Sequence, residues 1–324
     1  MKIHFDGVNL NSSSGPNTFA SRLAKKLFEM GHACQFDGKD ADVSLVFIEP
    51  SGMPLAPCVV QRLDGIWFRP QDFLTKNVGI KGLYEKADAV VFQSLFDYDM
   101  VIKHWGTPGA GPQGFRTARS TIIGNGIELS PVKELTIPRL IEMRAAYDQI
   151  FVCSSNWHAQ KRLVANVQLF DHLRNVQFPN SCLIVIGDHP DHRATGPHVF
   201  YAGGVGPETY MQIYSAANWM LHLAWADHCP NVVIEALSQG TPVVCSEVGG
   251  TKELIGHGAY GMVLKENEPY DFELYDYDNP PTIDVSQVTS LPTRHQLDYA
   301  GIPNIDINHV ASRYIELFNS LFKR

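Results

Sequence analysis

The chain has 324 residues, more than one hydrophobic core usually serves, and its 44% hydrophobic and 19% charged content is that of ordinary globular domains, so two domains are expected. Formal charge is −8, and residues 1–130 carry 13 Lys+Arg against 13 Asp+Glu, which leaves the acid excess in the later part and argues against a nucleic-acid partner. No apolar run approaches a membrane span and the opening MKIHFDGVNL lacks a signal-peptide profile, so a cytoplasmic protein is expected. Cys34, Cys58, Cys153, Cys182, Cys229 and Cys245 include no CxxC pair and read as buried thiols.

KIHFDGV predicts a buried strand, NLNSSSGPN a loop over Asn11 to Asn17, and TFASRLAKKLFEMGH a helix with Phe19, Leu23 and Leu27 on one face and Gly31 as its stop. ADVSLVFIEP, APCVVQRLDG, ADAVVFQS and STIIGNGIEL follow as short apolar runs ended by turn formers, the pattern of strands buried on both faces of a parallel sheet. A Pro-containing, charged stretch near 130–148 interrupts the rhythm. A second α/β unit then starts near 149 with QIFVCSS as a strand and KRLVANVQLFDHLRN as a helix. SCLIVIGD and HVFYAGG read as strands, ETYMQIYSAAN as a helix, WMLHLAW as a strand, NVVIEALSQG as a helix and TPVVCSEVGG as a strand with its loop. Residues 266–307 are acidic, Pro-punctuated and weakly periodic, and are expected to be mostly loops. HVASRYIELFNSLFKR places Val310, Tyr314, Leu317 and Leu321 on one stripe, a helix expected to cross back onto the first domain. The expected domains are 1–130 with 308–324, and 149–307.

DHCPNVVIEALSQGTPVV is the most informative stretch. Asp227 is expected to close a strand, Pro230 suits a first helical position, and Glu235 follows one to two turns into the helix. A tight loop and a helix start between them let both carboxylates face one cavity at the carboxyl edge of a parallel sheet. The N–H groups of the helix start bind anionic oxygens, so the geometry suits a nucleotide sugar.

These residues resemble the signature of the family 4 retaining glycosyltransferases: two acids at this spacing, here Asp227 and Glu235, then Ala236, Gly240 to Val244 and Gly249-Gly250. IVIGDHP, VFYAGGV and NGIEL fall where that family has similar elements, so the likeness runs over nearly the whole chain. It implies a GT-B architecture, two Rossmann-like α/β domains facing each other across a cleft. It implies a nucleotide-diphosphate donor, UDP- or GDP-linked, and a hydroxyl acceptor on a glycan or another molecule, with membrane contact only for a lipid-linked acceptor. The second acid, Glu235, would hold the ribose, and the first, Asp227, the transferred sugar. Cys229, Pro230, Asn231 and Val232 would line the donor at the helix start.

The family usually has an Arg and a Lys five residues apart to neutralise the diphosphate. SSNWHAQKRL supplies Lys161, but Asn156 stands in the Arg position, which leaves His158 or Arg162 to share the charge, or Lys161 and the helix dipole to suffice. An exposed lysine at a helix start is otherwise mere solvation. Gly15 replaces the family's paired glycines and would let backbone approach a phosphate; a lone glycine is otherwise just a turn. Asp64 stands where many relatives have a histidine facing the sugar, a contact to donor sugar or acceptor, or an ordinary turn aspartate. No HExxH, Cys/His cluster or DxD pair beside a strand end points to a metal, and no cofactor is expected beyond the donor. A dehydrogenase reading fails for want of a GxGxxG after the first strand. A catalytically degenerate nucleotide-sugar-binding protein is the alternative, motivated by Asn156, Gly15 and the shorter acid at 227.

Overall fold

A computed structural model describes residues 1–12, 14–108, 119–188, 194–292 and 305–322. The chain divides into two compact units, Met1–Glu128 with Asp271–Asp276 and Pro303–Arg324, and Leu129–Tyr270 with Tyr277–Ile302.

The first unit runs β1 (Lys2–Asp6), α1 (Gly15–Glu29), β2 (Ala33–Gln35), β3 (Val43–Phe47), β4 (Cys58–Leu63), α2 (Pro70–Lys76), α3 (Val78–Tyr84), β5 (Ala89–Phe92), α4 (Leu95–Trp105) and β6 (Arg119–Ile122). Its strands pair in parallel in the order β2-β1-β3-β4-β5-β6. Every residue of β3 is buried, as a central strand covered on both faces must be. Phe19, Leu23 and Leu27 of α1 turn onto this sheet together with Ala20 and Ala24. β2 is absent from the expected strands; three residues at a sheet edge are too short to carry a pattern.

The second unit runs α5 (Pro138–Ala146), β7 (Gln149–Ser154), a 3-10 turn at Ala159–Lys161, α6 (Leu163–Val176), β8 (Ser181–Ile186), β9 (Val199–Gly203), α7 (Pro207–Ala216), β10 (Trp219–His222), α8 (Asn231–Ser238), β11 (Val243–Ser246), α9 (Thr251–Leu254) and β12 (Gly261–Leu264). The sheet order is β12-β11-β10-β7-β8-β9, again parallel. The expected start at 149 is corrected by α5, whose Leu140 and Met143 are buried and whose Pro138 suits a first helical turn rather than a break. β12 is absent from the expected strands; it lies at the sheet edge, and its two middle residues are only half-buried.

α10 (Ile307–Phe322) closes the first unit. Its buried stripe is Val310, Ala311, Tyr314 and Phe318; Leu317 and Leu321, expected at its centre, are half-buried at its edge. Tyr314 meets Phe19 of α1 with ring centroids 6.3 Å apart, and two backbone bonds, Ile127 N–H to Ile305 O at 2.8 Å and Ile307 N–H to Ile127 O at 2.9 Å, pin the entry to the helix. The acidic stretch is loop as expected, with one 3-10 turn at Val285–Gln287, among its described residues; 293–304 lie outside them.

One part of that stretch belongs to the first unit rather than the second: Asp271–Asp276. Phe272 packs on Phe96 at 5.3 Å, its carbonyl takes a bond from His104 Nε2 at 2.8 Å, Lys103 pairs with Glu273 at 2.7 Å, and Tyr275 N–H bonds Phe68 O at 3.0 Å. An apolar anchor flanked by acids reads as a plain acidic loop until Lys103 and His104 are placed opposite it. Among the described residues no helix is long and apolar enough to cross a membrane.

Candidate active site

In the second sheet the strand order reverses at β7: β8 and β9 build outward on one side, β10, β11 and β12 on the other. Such a reversal opens a crevice at the carboxyl ends of the two strands that flank it, because their following loops depart in opposite directions. β7 and β10 are those strands, in register with Phe151 beside Trp219 and Val152 beside Met220. The loop after β7 carries Asn156, His158 and Lys161; the loop after β10 carries Asp227 and leads to α8.

Backbone and side-chain bonds tie these two loops together. Trp225 N–H donates to Gln160 O at 2.9 Å. Asn166, buried on α6, donates from Nδ2 to Arg162 O at 2.9 Å and Lys161 O at 3.2 Å while its Oδ1 accepts Leu223 N–H at 3.1 Å. The result is a direct ion pair: Lys161 Nζ lies 2.5 Å from Asp227 Oδ2, with side-chain exposures of 18% and 14%. His222, the last residue of β10, places Nε2 3.2 Å from the same oxygen. Burial pushes the Asp227 carboxyl up, but the Lys161 ammonium and the His222 contact outweigh it and hold the acid well below the usual carboxylate range. Burial lowers the neighbouring His228 imidazole to about 4, against the pull of Asp227, so it is neutral at pH 7.

The expectation that Asp227 closes a strand is corrected: β10 ends at His222, and Asp227, five residues later, makes only an isolated bridge to Gly249. Ala226 before it is left-handed, at φ 54°, which turns the chain toward the crevice. Gly249, at φ 136°, is the counterpart; a Cβ there would lie 2.8 Å from Asp227 O, and Gly250 N–H bonds that carbonyl at 2.8 Å. Gly249 thus has a physical reason: only a residue without a side chain lets this loop close on the Asp227 backbone.

α8 begins one residue later than expected, with Pro230 as its N-cap and Asn231 and Val232 in its first turn; Cys229 is buried just ahead. The positive end of the helix therefore sits three residues after the Asp227–Lys161 pair, the right place for anionic oxygens. Glu235 is buried one turn into the helix. Its carboxylate acts on Tyr214 of α7, whose phenol is pushed up first by its own burial and then by this charge, while Ser154 at the end of β7 hydrogen-bonds it. Asp227 bonds Lys161 and His222, whereas the Glu235 charge is felt by Tyr214.

Two of the expected charge partners of the donor have other surroundings in the fold. Arg162 is left-handed at φ 49°, and its guanidinium makes a two-pronged pair with Glu266 at 2.8 and 2.9 Å and a bond to Pro281 O at 2.6 Å, so its charge is taken up inside the fold. His158 is exposed as a residue, yet packing around its ring and then the Lys161 charge hold its imidazole below the ordinary value, against the pull of Asp227 and Asp278. Asn156 is exposed in the loop after β7.

The remaining two candidates lie in the first unit. Gly15 is the first residue of α1 rather than a loop glycine, and Asn17, expected in the loop, bonds Ser14 Oγ at 2.8 Å from the helix's first turn; Ser13 lies outside the described residues. Asp64 follows β4 and is no ordinary turn aspartate. It pairs with Arg62, whose fully buried guanidinium also contacts Asn125 and is sandwiched over Phe19 at 4.5 Å and Phe47 at 5.0 Å. His222 and Arg62 were missed; the visible signal for each was a basic residue inside a buried strand segment, where a side chain must find a polar partner. No group of three His, Cys, Asp or Glu placed to hold a metal occurs among the described residues.

Residues 143–274, which contain all of the second-unit candidates, match the family model for Glycosyl transferases group 1. A 66-residue stretch is 33% identical to D-inositol 3-phosphate glycosyltransferase of Nocardia farcinica, a match that covers 20% of this chain and 15% of that protein. Among solved structures, sucrose-phosphate synthase of Thermosynechococcus elongatus superposes with a TM-score of 0.68 at 15% identity, over 100% of this chain and 99% of that one. Anabaena HepE in complex with UDP and glucose gives 0.64 at 18% identity, over 99% and 100%. At these identities the superpositions speak for the fold, and with the sequence match they identify the chain as carrying a Glycosyl transferases group 1 domain in a protein of GT-B fold.

Proposed function

We propose that this chain is a retaining, metal-independent glycosyltransferase that moves a sugar from a UDP- or GDP-linked donor onto a hydroxyl of a glycan or other acceptor. The observation that carries the reading is the Lys161–Asp227 pair at the strand-order reversal, directly ahead of the α8 N-terminus and inside the matched domain. A donor diphosphate entering there meets one ammonium and the positive end of a helix, which together can stabilise the leaving group without a divalent ion. Lys161 exchanges Asp227 for phosphate oxygens, and Asp227 is released toward the sugar. Glu235 holds the ribose hydroxyls. The acceptor hydroxyl attacks from the face the diphosphate leaves, and a phosphate oxygen takes its proton, so no side chain serves as general base. HepE, of the same fold, has been crystallised with UDP-glucose, which makes that the first donor to try. Six free thiols suit a reducing compartment and support a cytoplasmic site of action.

The test is a thermal-shift screen of UDP, GDP, ADP and their sugars, followed by NMR of the anomeric proton in the product of the best donor, with and without EDTA. A ligand at a hundred times its dissociation constant adds about 2.7 kcal/mol of stability, well within detection. Retained anomeric configuration and activity in EDTA are expected. No stabilisation by any nucleotide, an inverted product, or activity restored only by Mg²⁺ or Mn²⁺ would each overturn the corresponding part of the proposal.

A further inference from the structure

We propose that His222 is the positioning residue that aims the sugar-binding carboxylate, an inference that rests on the reading of Asp227 given above. His222 ends β10, a strand whose four residues are all buried, and is only 4% exposed. An imidazole there needs a hydrogen-bond partner, and Asp227 Oδ2 at 3.2 Å supplies it. Because the carboxylate is ionised it can only accept, so His222 Nε2 carries the hydrogen.

The geometry makes this more than a satisfied core histidine. Lys161, from the 3-10 turn after β7, and His222, from the last position of β10, reach the same oxygen, so the carboxylate is held at Oδ2 by two donors on different elements. Asp227 Oδ1 has no hydrogen-bond partner among the described residues, and a sugar hydroxyl can donate to it. When a diphosphate draws Lys161 away, His222 remains as the donor that stops the carboxylate from rotating. His222 thus acts on the sugar through Asp227 and not on the nucleotide.

The experiment compares wild type, His222→Leu and His222→Gln by calorimetric titration with UDP and UDP-glucose, and with GDP and GDP-mannose, together with the rate of donor hydrolysis. Leucine removes the donor; glutamine offers an amide N–H at nearly the same reach. For the pair the wild type binds, His222→Leu should keep nucleotide affinity within about twofold while sugar-donor affinity or hydrolysis falls about tenfold. His222→Gln should recover most of that loss. Unchanged sugar-donor binding in His222→Leu, equal loss of nucleotide and sugar donor with a lower Tm, or a glutamine variant no better than leucine would overturn the inference while leaving the site intact. A wild type that binds neither pair would overturn the site reading and this inference with it.

Discussion

Arg162 provides the sharpest separation of a structural charge from a catalytic one, because it follows Lys161 directly and has the chemistry a diphosphate site wants. Its side chain is 4% exposed and that of Glu266 2%, with two short bonds between them and a third to Pro281 O. Removing one partner of such a pair strands the other charge in the fold, at a cost of about 3–5 kcal/mol, whereas removing both together costs far less. For a unit of this size each kcal/mol moves Tm by about 2–4 °C, so Arg162→Met should melt about 6–20 °C below wild type. Glu266→Gln should fall nearly as far, and the double variant should regain several degrees, a coupling measurable as a double-mutant cycle by denaturant titration. Below its melting range, Arg162→Met should still discriminate a nucleoside diphosphate from the monophosphate by the wild-type factor. If the variant instead keeps its Tm within about 3 °C and loses diphosphate affinity, the guanidinium serves the donor, and the assignment of its charge to Glu266 is wrong.

Further outcomes are expected at the site and in the packing. Calorimetric titration of Lys161→Ala should show a larger loss for the diphosphate than the monophosphate. Glu235→Ala should weaken monophosphate, diphosphate and donor alike, by roughly 1.5–3 kcal/mol, and Asp227→Ala should spare the free nucleotide while losing the sugar donor; wild-type binding in Glu235→Ala would place the nucleotide elsewhere. Gly249→Ala forces a Cβ to 2.8 Å from Asp227 O at a backbone angle that suits glycine, and should cost about 1–3 kcal/mol in urea unfolding together with sugar-donor affinity; a neutral effect on both would mean the loop is not held by that contact. Phe318→Ala should destabilise the first unit by about 3–5 kcal/mol, and deletion of residues 307–322 should expose apolar surface to a dye such as ANS; a truncated protein that melts like wild type would refute the packing of α10.

Strands buried on both faces were legible because runs such as VSLVF and CLIVI satisfy burial and β-propensity at once, and α1 and α10 because their apolar positions repeat at helical spacing. Two edges were not: β2 has three residues, none of them buried, and β12 is buried only at its two ends, so neither shows the continuous burial of a central strand. At the candidate site, residue types and order pointed to Asp227, Glu235 and Lys161, since a motif is a statement about order along the chain. Which charges cancel is a statement about space. Arg162 and Lys161 are adjacent in sequence with different partners, 104 and 66 residues away, and nothing in QKRL distinguishes them. Asp64 left two readings open, a sugar contact or a turn residue, because the buried Arg62 it pairs with gives no sign in CVVQRL of where its charge goes.

The helix that closes the first unit reverses the order in which the two units can be finished during synthesis. Unit two is complete once residue 302 is made, whereas the face of α1 formed by Phe19 and its neighbours waits for Tyr314 and Phe318. At ribosomal rates of about 5–20 residues per second, the 177 residues between 128 and 305 take roughly ten to thirty seconds. For that interval the first-made half is a sheet and helix layer with an uncovered apolar seam, a substrate for a holding chaperone. Any break in translation after residue 128 and before α10 leaves that seam open permanently.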